Sequence, residues 1–155
     1  MQPQRGDCRR CWKCMIGIAI MNQSKQEVRH PARNASTGAY SDGVILDGWL
    51  FISGQGPLDL ATGSVVSGTI EEETRLTLSH IGKILEAAGC TFDDVVKCTC
   101  HLADIRDFDG FNHAYGEVFR GIRPARTTVQ SVLGGGIKVE IDAIARSGGQ
   151  GRRTI

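Results

Sequence analysis

The stretch "IRPARTTVQSVLGGGIKVEIDAIA", residues 122–145, contains two runs of alternating apolar and polar residues around three glycines. Alternation with a period of two is typical of β-strands, and the glycine triplet predicts a short loop between them. We therefore predict an antiparallel hairpin with Val129 opposite Ile141. In this register one face of the hairpin is apolar and is expected in the core: Val129, Ser131, Leu133, Ile137, Val139, Ile141 and Ala143.

The opposite face of the predicted hairpin is polar, and its members are Arg126, Thr128, Gln130, Lys138, Glu140 and Asp142. Arg126 would lie about four residues from Glu140 along the strands, roughly 13 Å at ~3.3 Å per residue. One small ligand could contact both side chains only if they converge or if a neighbouring subunit supplies one of them. The spacing therefore predicts a site at a subunit interface.

Arg126 and Glu140 also allow an ordinary structural interpretation. Arg126 could be a surface residue or half of an ion pair, and Glu140 has Lys138 as a nearby partner. Against this, a charge covered by a neighbouring subunit is costly unless it is specifically bound. A guanidinium is also well shaped to bind a carboxylate through two parallel hydrogen bonds.

Upstream of this stretch, local signals predict a hairpin and a helix. Asp47-Gly48 lies between two apolar runs and favours a tight turn, because both residues tolerate positive φ. Thr69 and Glu72 form a capping-box pattern that predicts the start of a helix. Apolar residues recur at helical spacing over residues 70–88, and Gly89 predicts the end of that helix.

The remaining elements complete a predicted β-β-α-β-α-β-β order. Residues 94–103 alternate and are rich in β-branched side chains, which predicts a strand. A second helix follows, with an aromatic face made of Phe108, Phe111, Tyr115 and Phe119. Helices on one side of a sheet make an α+β domain. The other face of the sheet is then either exposed to solvent or buried against another subunit. Since Val44, Leu46 and Ile144 add apolar area to that face, we predict a homo-oligomer.

Length and charge restrict the classes of function. The chain has 155 residues, 18 basic and 17 acidic side chains, and a formal net charge of +1. This length predicts one domain, and the balanced charge predicts neither a nucleic-acid nor a membrane partner. No apolar run approaches the ~20 residues that span a bilayer. The cysteines, with no secretory pattern, predict reduced thiols in a cytoplasmic protein.

The first twenty residues differ in character from the rest. Cys8, Cys11 and Cys14 have a spacing at which thiolates can share a zinc ion or an iron–sulfur cluster, but the nearest fourth ligand, His30, is sixteen residues beyond Cys14. The alternative, which we favour, is an extension outside the domain. We divide the chain into an extension (1–20), a leading segment (21–38), the domain (39–146) and a tail (147–155).

Five motifs occur in the body of the chain in a characteristic order and spacing. They are "AYS" (39–41), "FISGQGPLD" (51–59), "DFDGFNHAY" (107–115), "RPARTTV" (123–129) and "VEIDAIA" (139–145). From about residue 40 to 145, the chain resembles the Rid family of reactive intermediate deaminases, also known as the YjgF or endoribonuclease L-PSP family.

The resemblance implies a fold and an activity. The fold is a chorismate-mutase-like α+β subunit with a mixed sheet, assembled as a homotrimer with sites in the clefts between subunits. The activity is hydrolysis of enamines and imines, such as 2-aminoacrylate, 2-iminopropanoate and 2-iminobutanoate, to a 2-keto acid and ammonia. No cofactor or metal is implied.

The resemblance also assigns roles to residues. Arg126 would bind the substrate carboxylate, helped by the backbone N–H of Thr128, and Glu140 would activate water. Tyr40 is included in the catalytic set, and Ser53, Gly54 and Asn112 would line the pocket. The chain departs from the family pattern at Gly56, where a branched apolar residue is common.

Three alternatives remain at this stage. The chain could be a non-enzymatic trimer that binds a metabolite or acts as a chaperone, although binding a carboxylate needs only the arginine. It could act on RNA, although its net charge of +1 does not favour that role. It could also be a deaminase for a larger substrate, because the missing side chain at Gly56 would enlarge the pocket.

Overall fold

The computed structural model of the chain describes residues 24–34 and 38–146. These residues form one mixed sheet with two helices on one of its faces, so the predicted α+β class is confirmed. The strand order is β1-β2-β3-β6-β4-β5. The elements are β1 Gln26–Val28, β2 Gly43–Leu46, β3 Trp49–Gln55, α1 Ile70–Ala87, β4 Val95–Leu102, α2 Phe108–Val118, β5 Ala125–Gln130 and β6 Val139–Arg146.

The β2–β3 hairpin turns where the sequence predicts it. Leu46 pairs with Trp49, and the two residues between them have positive φ, 51° at Asp47 and 77° at Gly48. This conformation matches the twist of the flanking strands. Strand β1, which the sequence did not predict, pairs antiparallel with β2. The segment before the domain therefore contributes a strand to the sheet.

The predicted ends of α1 are also confirmed. Thr69 is the N-cap, and its side chain and that of Glu72 form the reciprocal capping box. Gly89 follows the helix with φ of 72°. The apolar stripe of α1 and the aromatic face of α2 pack onto the sheet, and the largest fully buried apolar side chains are Phe111, Leu50, Leu78, Ile81, Ile84, Leu85, Leu102, Ile141 and Val139.

The predicted hairpin between β5 and β6 is wrong. Strand β5 pairs with β4, in parallel, at the edge of the sheet. Strand β6 lies between β3 and β4 and runs antiparallel to both. Residues 131–138 connect the two strands across the end of β4, where Ser131 N donates to Leu102 O and Ala103 N donates to Lys138 O, each at 2.9 Å. This connection is longer than the three-residue loop that was predicted, so it can cross a strand.

The change of pairing moves β5 residues to other faces of the sheet. Val129, predicted in the core, lies on the face without helices and is 39% exposed. Arg126, Thr128 and Gln130 pair with residues of β4 that are buried under the helices, so they lie on the helix side. The core face predicted for β6 is correct, since Val139, Ile141 and Ala143 are buried.

The face without helices, called here the open face, carries both apolar and polar side chains. Phe51 and Leu46 are 45% and 40% exposed there, and Val44 and Ile144 are half-buried beside them. A sheet face of this composition is suited to burial against another protein surface. Neither helix in the described part of the chain is long and apolar enough to cross a bilayer.

Candidate active site

Arg126 is held at the edge of the sheet by helix α2. Its Nη2 atom donates a hydrogen bond of 2.8 Å to Oδ1 of Asn112. The two residues belong to β5 and α2, so the contact joins the edge strand to the helix that covers it. The structure thus brings together two of the residues that the sequence predicted for the site.

The guanidinium of Arg126 also lies against a cluster of aromatic rings on α2. Its Cζ atom is 4.6 Å from the ring centroid of Tyr115, 5.2 Å from that of Phe111 and 5.7 Å from that of Phe108. A cation over aromatic rings is attracted by their negative faces. The sequence pattern predicted these rings as core residues and missed this second role, although Asn112 and Tyr115 are three residues apart on one helix face.

A cavity of about 320 Å³ opens beside the guanidinium, lined by Asn112, Tyr115, Gly116, Arg123, Pro124 and Arg126. Arg123 adds a second positive charge to its wall, and its Nε donates to Phe119 O at 3.4 Å. Thr128 lies two residues from Arg126 on the same face of β5. We call Arg126, Asn112 and this cavity the arginine half-site.

The groups beneath the arginine half-site are held in their neutral forms. Burial raises the pKa of the Cys98 thiol, and it raises that of Cys100 to about 12, with the neighbouring Cys98 as the second cause. Burial also raises the pKa of Tyr115, with Cys98 as the next cause. Cys98 and Cys100 are free and buried. The thiols and the phenol beneath Arg126 are therefore uncharged, so they do not neutralise its guanidinium.

Glu140 lies on the open face of β6, next to a bulge in β3. Ile52 pairs with Ala143 and Gln55 with Ile141, so Ser53 and Gly54 together oppose Asp142. The Glu140 side chain lies over Gly54, where an added Cβ would be 2.9 Å from the Glu140 Cδ atom. Only a glycine leaves this room for the carboxylate. We call Glu140 and the Ser53–Gly54 bulge the glutamate half-site.

Ser53 ties this half-site to the segment that carries Tyr40. Ser53 Oγ donates to Ser41 O at 2.7 Å, and Ser53 N donates to Asp42 O at 3.0 Å. Tyr40 is 49% exposed. The ring of Tyr40 packs against Gly38, where an added Cβ would be 2.7 Å from its Cε1 atom.

The arginine and glutamate half-sites of one chain are separate. Cys98 pairs with Arg126, and His101 pairs with Glu140, so the two residues lie on opposite faces with β4 between their strands. Two strand spacings of ~4.8 Å and three residues of ~3.3 Å separate their Cα positions. The common polar face predicted for Arg126 and Glu140 is therefore wrong, because it depended on the incorrect β5–β6 pairing.

Lys138 does not serve as the partner suggested for Glu140. Its Nζ and backbone N bond to the buried carboxylate of Glu73 on α1, at 3.0 and 2.7 Å. Glu73 also accepts from Gly68 N at 3.2 Å. This ion pair fastens α1 to the start of β6.

Gly56, where the sequence suggested a larger pocket, lies against the side chain of Ile137. A Cβ added there would be 3.0 Å from Cδ1 of Ile137, so Ile137 already fills that space. Among residues 24–34 and 38–146, no group of three or more His, Cys, Asp or Glu side chains is arranged to hold a metal. Cys8, Cys11 and Cys14, the suggested metal ligands, lie outside the described residues, as does the tail predicted for 147–155.

Comparison with known proteins identifies the family. The family model described as "Endoribonuclease L-PSP" matches residues 30–147, most of the chain. The chain belongs to the endoribonuclease L-PSP (Rid) family. The family match begins within the leading segment and includes both half-sites.

Several relatives in this family are named for an enzymatic activity. A Capra hircus protein named 2-iminobutanoate/2-iminopropanoate deaminase is 46% identical over 115 residues, covering 74% of this chain and 84% of the relative. A Homo sapiens protein of the same name is 44% identical over 112 residues, covering 72% and 82%. Among solved structures, YyfA of the Rid family from Yersinia pestis has a TM-score of 0.75 and 36% identity, covering 79% of this chain and 99% of its own. The fold of this Rid chain is thus shared with solved members of its family.

Proposed function

We propose that this protein hydrolyses 2-imino acids, such as 2-iminopropanoate and 2-iminobutanoate, to 2-keto acids and ammonia. Enamines such as 2-aminoacrylate would enter the reaction after tautomerising to the imine. The family relatives named as deaminases of these compounds support this substrate class. The observation that carries the proposal is the Arg126 guanidinium, held by Asn112 and aromatic rings beside an open cavity.

Arg126 binds the substrate carboxylate in this proposal. The hydrogen bond to Asn112 and the rings of α2 leave the guanidinium little freedom, so less entropy is lost when a carboxylate binds. The backbone N–H of Thr128 would donate to the same carboxylate. These contacts would place the imine carbon of the substrate at a constant position relative to the protein.

Glu140 acts as the general base. The substrate reacts as the protonated imine. Glu140 takes a proton from water as the water oxygen bonds to the imine carbon, and the C=N electron pair moves to the nitrogen, which becomes a neutral amine. The product is a carbinolamine. Glu140 returns the proton to the amino nitrogen, and the C–N bond breaks as ammonia leaves. The hydroxyl oxygen then forms the carbonyl of the keto acid and gives its proton to Glu140, which is thereby ready to pass it to solvent. Tyr40, Ser53 and Gly54 would line the pocket on this side.

A complete site in this proposal contains residues of two subunits. Since Arg126 and Glu140 lie on opposite faces of one chain, a small substrate reaches both only when the arginine half-site of one protomer meets the glutamate half-site of its neighbour. Repeating this contact around a ring gives a closed assembly, and we propose that the assembly is a homotrimer. The apolar residues of the open face would be buried in it.

The first experiment measures ammonia and keto-acid release from imines that an amino-acid oxidase generates in situ. Wild type should accelerate release, and Arg126→Ala and Glu140→Gln should each lose about a hundredfold or more of that acceleration. Arg120→Ala, which changes an exposed arginine near the end of α2, is the matched control and should stay active. Wild type that accelerates release from no imino acid would contradict the proposal.

Mixing the two inactive variants tests the composite site. When equal amounts of Arg126→Ala and Glu140→Gln subunits are unfolded and reassembled together, about one quarter of the interfaces in a ring combine an intact arginine with an intact glutamate. Activity should therefore return to about a quarter of wild type. If each site were built within one chain, the mixture would be no more active than its components.

The same variants separate catalysis from binding alone. A protein that only binds metabolites would retain keto-acid binding in Glu140→Gln and would show no turnover in wild type. An RNA-acting protein would cleave RNA and would show no turnover of imino acids in wild type. The balanced charge of the chain favours the small-molecule substrate over the nucleic acid.

A further inference from the structure

The bulge at Ser53–Gly54 determines where the Glu140 carboxylate rests. It is a local departure from regular β3–β6 pairing, and the Glu140 side chain lies on the backbone of Gly54. A bulge leaves backbone groups out of the regular ladder and redirects the neighbouring side chains. The position of Glu140 therefore depends on what holds this piece of backbone.

The carbonyl groups of the bulge are bound by a buried glutamine. Gln55 is 2% exposed, and its Nε2 atom donates to Ser53 O at 2.9 Å and to Gly54 O at 3.2 Å. Its Oε1 atom accepts from Nη2 of Arg33 at 3.1 Å. Both ends of the side-chain amide are thus occupied, which fixes its orientation.

Arg33 is itself held by a buried aspartate. Its Nε atom is 2.6 Å from Oδ1 of Asp42, and the two side chains are 12% and 4% exposed. Asp42 Oδ2 accepts from His30 N at 2.8 Å. The backbone carbonyl of Asp42 accepts from Ser53 N, so Asp42 also contacts the bulge directly. The chain of contacts begins in the segment before the domain and ends at the Ser53–Gly54 backbone, against which the Glu140 side chain lies.

We propose that Arg33, Asp42 and Gln55, which we call the bulge clamp, are positioning residues that hold the Ser53–Gly54 backbone so that the Glu140 carboxylate is correctly placed for catalysis. None of the three touches the substrate. The inference rests on the proposed function, since it assigns a purpose to the placement of Glu140. It also makes the segment of residues 30–33 part of the catalytic apparatus, although it lies outside both half-sites.

The location of the contacts supports a role in positioning as well as in stability. Gln55 donates to the two carbonyls of the bulge residues themselves, and the backbone carbonyl of Asp42 accepts from the amide of Ser53. A buried ion pair is weak evidence for stability, because desolvation offsets much of its attraction. Such a pair does fix the orientation of both side chains, since each must face the other.

The test compares Asp42→Asn with Asp47→Asn, the same substitution at the exposed turn of the neighbouring hairpin. Asp42→Asn preserves shape and removes the charge that holds Arg33. We expect kcat for an imino acid to fall about tenfold, because small displacements of a catalytic group reduce its efficiency. The inhibition constant of the product keto acid, which reports on the arginine half-site, should change less than about twofold. Asp47→Asn should change neither value.

A second measurement does not depend on turnover. The carboxyl carbon of Glu140 is observed by NMR and assigned with Glu140→Gln. Its chemical shift should differ in Asp42→Asn from that of wild type and Asp47→Asn, since a moved carboxylate has different neighbours. If Asp42→Asn fails to fold, Gln55→Leu decides, with Gln26→Leu on the exposed strand β1 as its control.

The outcomes separate this inference from the proposed function. Wild type that turns over no imino acid contradicts the proposed function, and the NMR signal of the Glu140 carboxyl carbon then decides the clamp. An unchanged kcat and an unchanged Glu140 chemical shift in folded Asp42→Asn or Gln55→Leu would overturn the clamp while leaving the deaminase intact. A loss of kcat that only follows the fraction of folded protein would also overturn it.

Discussion

At the scale of single residues, Arg126 shows how a side chain acquires a role from its surroundings. Its guanidinium is oriented by one amide oxygen and supported by the rings of α2, while the thiols and phenol beneath it stay neutral. A long, flexible side chain is thus held in one direction before any substrate arrives. In the proposed function, the residues that hold Arg126 contribute to carboxylate binding together with its charge.

Tyr115 should therefore affect substrate binding through its ring. Tyr115→Phe keeps the ring under Arg126 and should leave KM within about twofold of wild type. Tyr115→Leu removes the ring and should raise KM about fivefold, since a cation–π contact at a partly exposed site contributes about 1 kcal/mol. Steady-state kinetics on both variants, with thermal melts to show that both are folded, check this prediction. Equal KM values for the two would contradict it.

A side chain at Gly54 should displace the Glu140 carboxylate, which occupies the space that a Cβ would take. Gly54→Ala should push the carboxylate aside and lower kcat about tenfold or more, with a smaller change in KM. The matched control is Gly134→Ala, where an added Cβ meets nothing within 4 Å. A Gly54→Ala protein with wild-type kcat would show that the placement of Glu140 is not critical.

At the scale of elements, helix α1 is specified by its ends as well as by its apolar stripe. Thr69 and Glu72 bond to each other's backbone amides at 3.3 and 2.8 Å. Acidic residues fill the first turn, where the helix dipole favours them. The adjacent Glu73 then connects this end of the helix to Lys138.

Removing the cap of α1 should lower stability without changing the site. Thr69→Ala should reduce the free energy of unfolding by about 1 kcal/mol, because an amide of the first turn loses its partner. Thr69→Ser should retain most of that stability, and Ser67→Ala, in the preceding exposed loop, should have almost no effect. Urea denaturation of the three variants measures the differences. A loss in Ser67→Ala as large as in Thr69→Ala would contradict the capping argument.

At the scale of the whole molecule, two buried histidines make the fold sensitive to acid. His30 and His80 are 5% and 8% exposed, and their rings pack edge to face with centroids 5.3 Å apart. Burial lowers the pKa of both histidines. The pKa of His30 is lowered further by His80, and nearby Asp42 partly opposes this. The pKa of His80 is partly raised by its hydrogen bond to Leu58 O. They join the leading segment to α1 and so help hold the bulge clamp in place.

The sign of the pH dependence follows from these lowered values. In the unfolded chain the two histidines bind protons below about pH 6.5. In the folded state they bind protons only at lower pH, because their pKa values are lowered. Stability should therefore be full above about pH 6.5 and decline progressively below it. Urea midpoints across this range should show the decline, and His80→Gln should flatten it, while exposed His113→Gln should not. A midpoint that rises on acidification would contradict this.

The sequence by itself determined the local elements of this protein. The Asp47-Gly48 turn, the cap of α1 and the core alternation of β6 depend on neighbours a few residues away, so the pattern contains them. The motifs around Arg126 and Glu140 likewise identified the family before any geometry was known. What they did not contain was the pairing of β5.

Only the tertiary structure decided which strand lies beside β5, and hence which face Arg126 occupies. Alternation shows that Arg126 and Val129 point to opposite sides of their own strand, but it does not relate those sides to another strand. That relation depends on packing over the whole sheet, where β6 lies between β3 and β4 and excludes β5. The bulge clamp has the same origin, because Arg33, Asp42 and Gln55 are distant in sequence and meet only in the folded core.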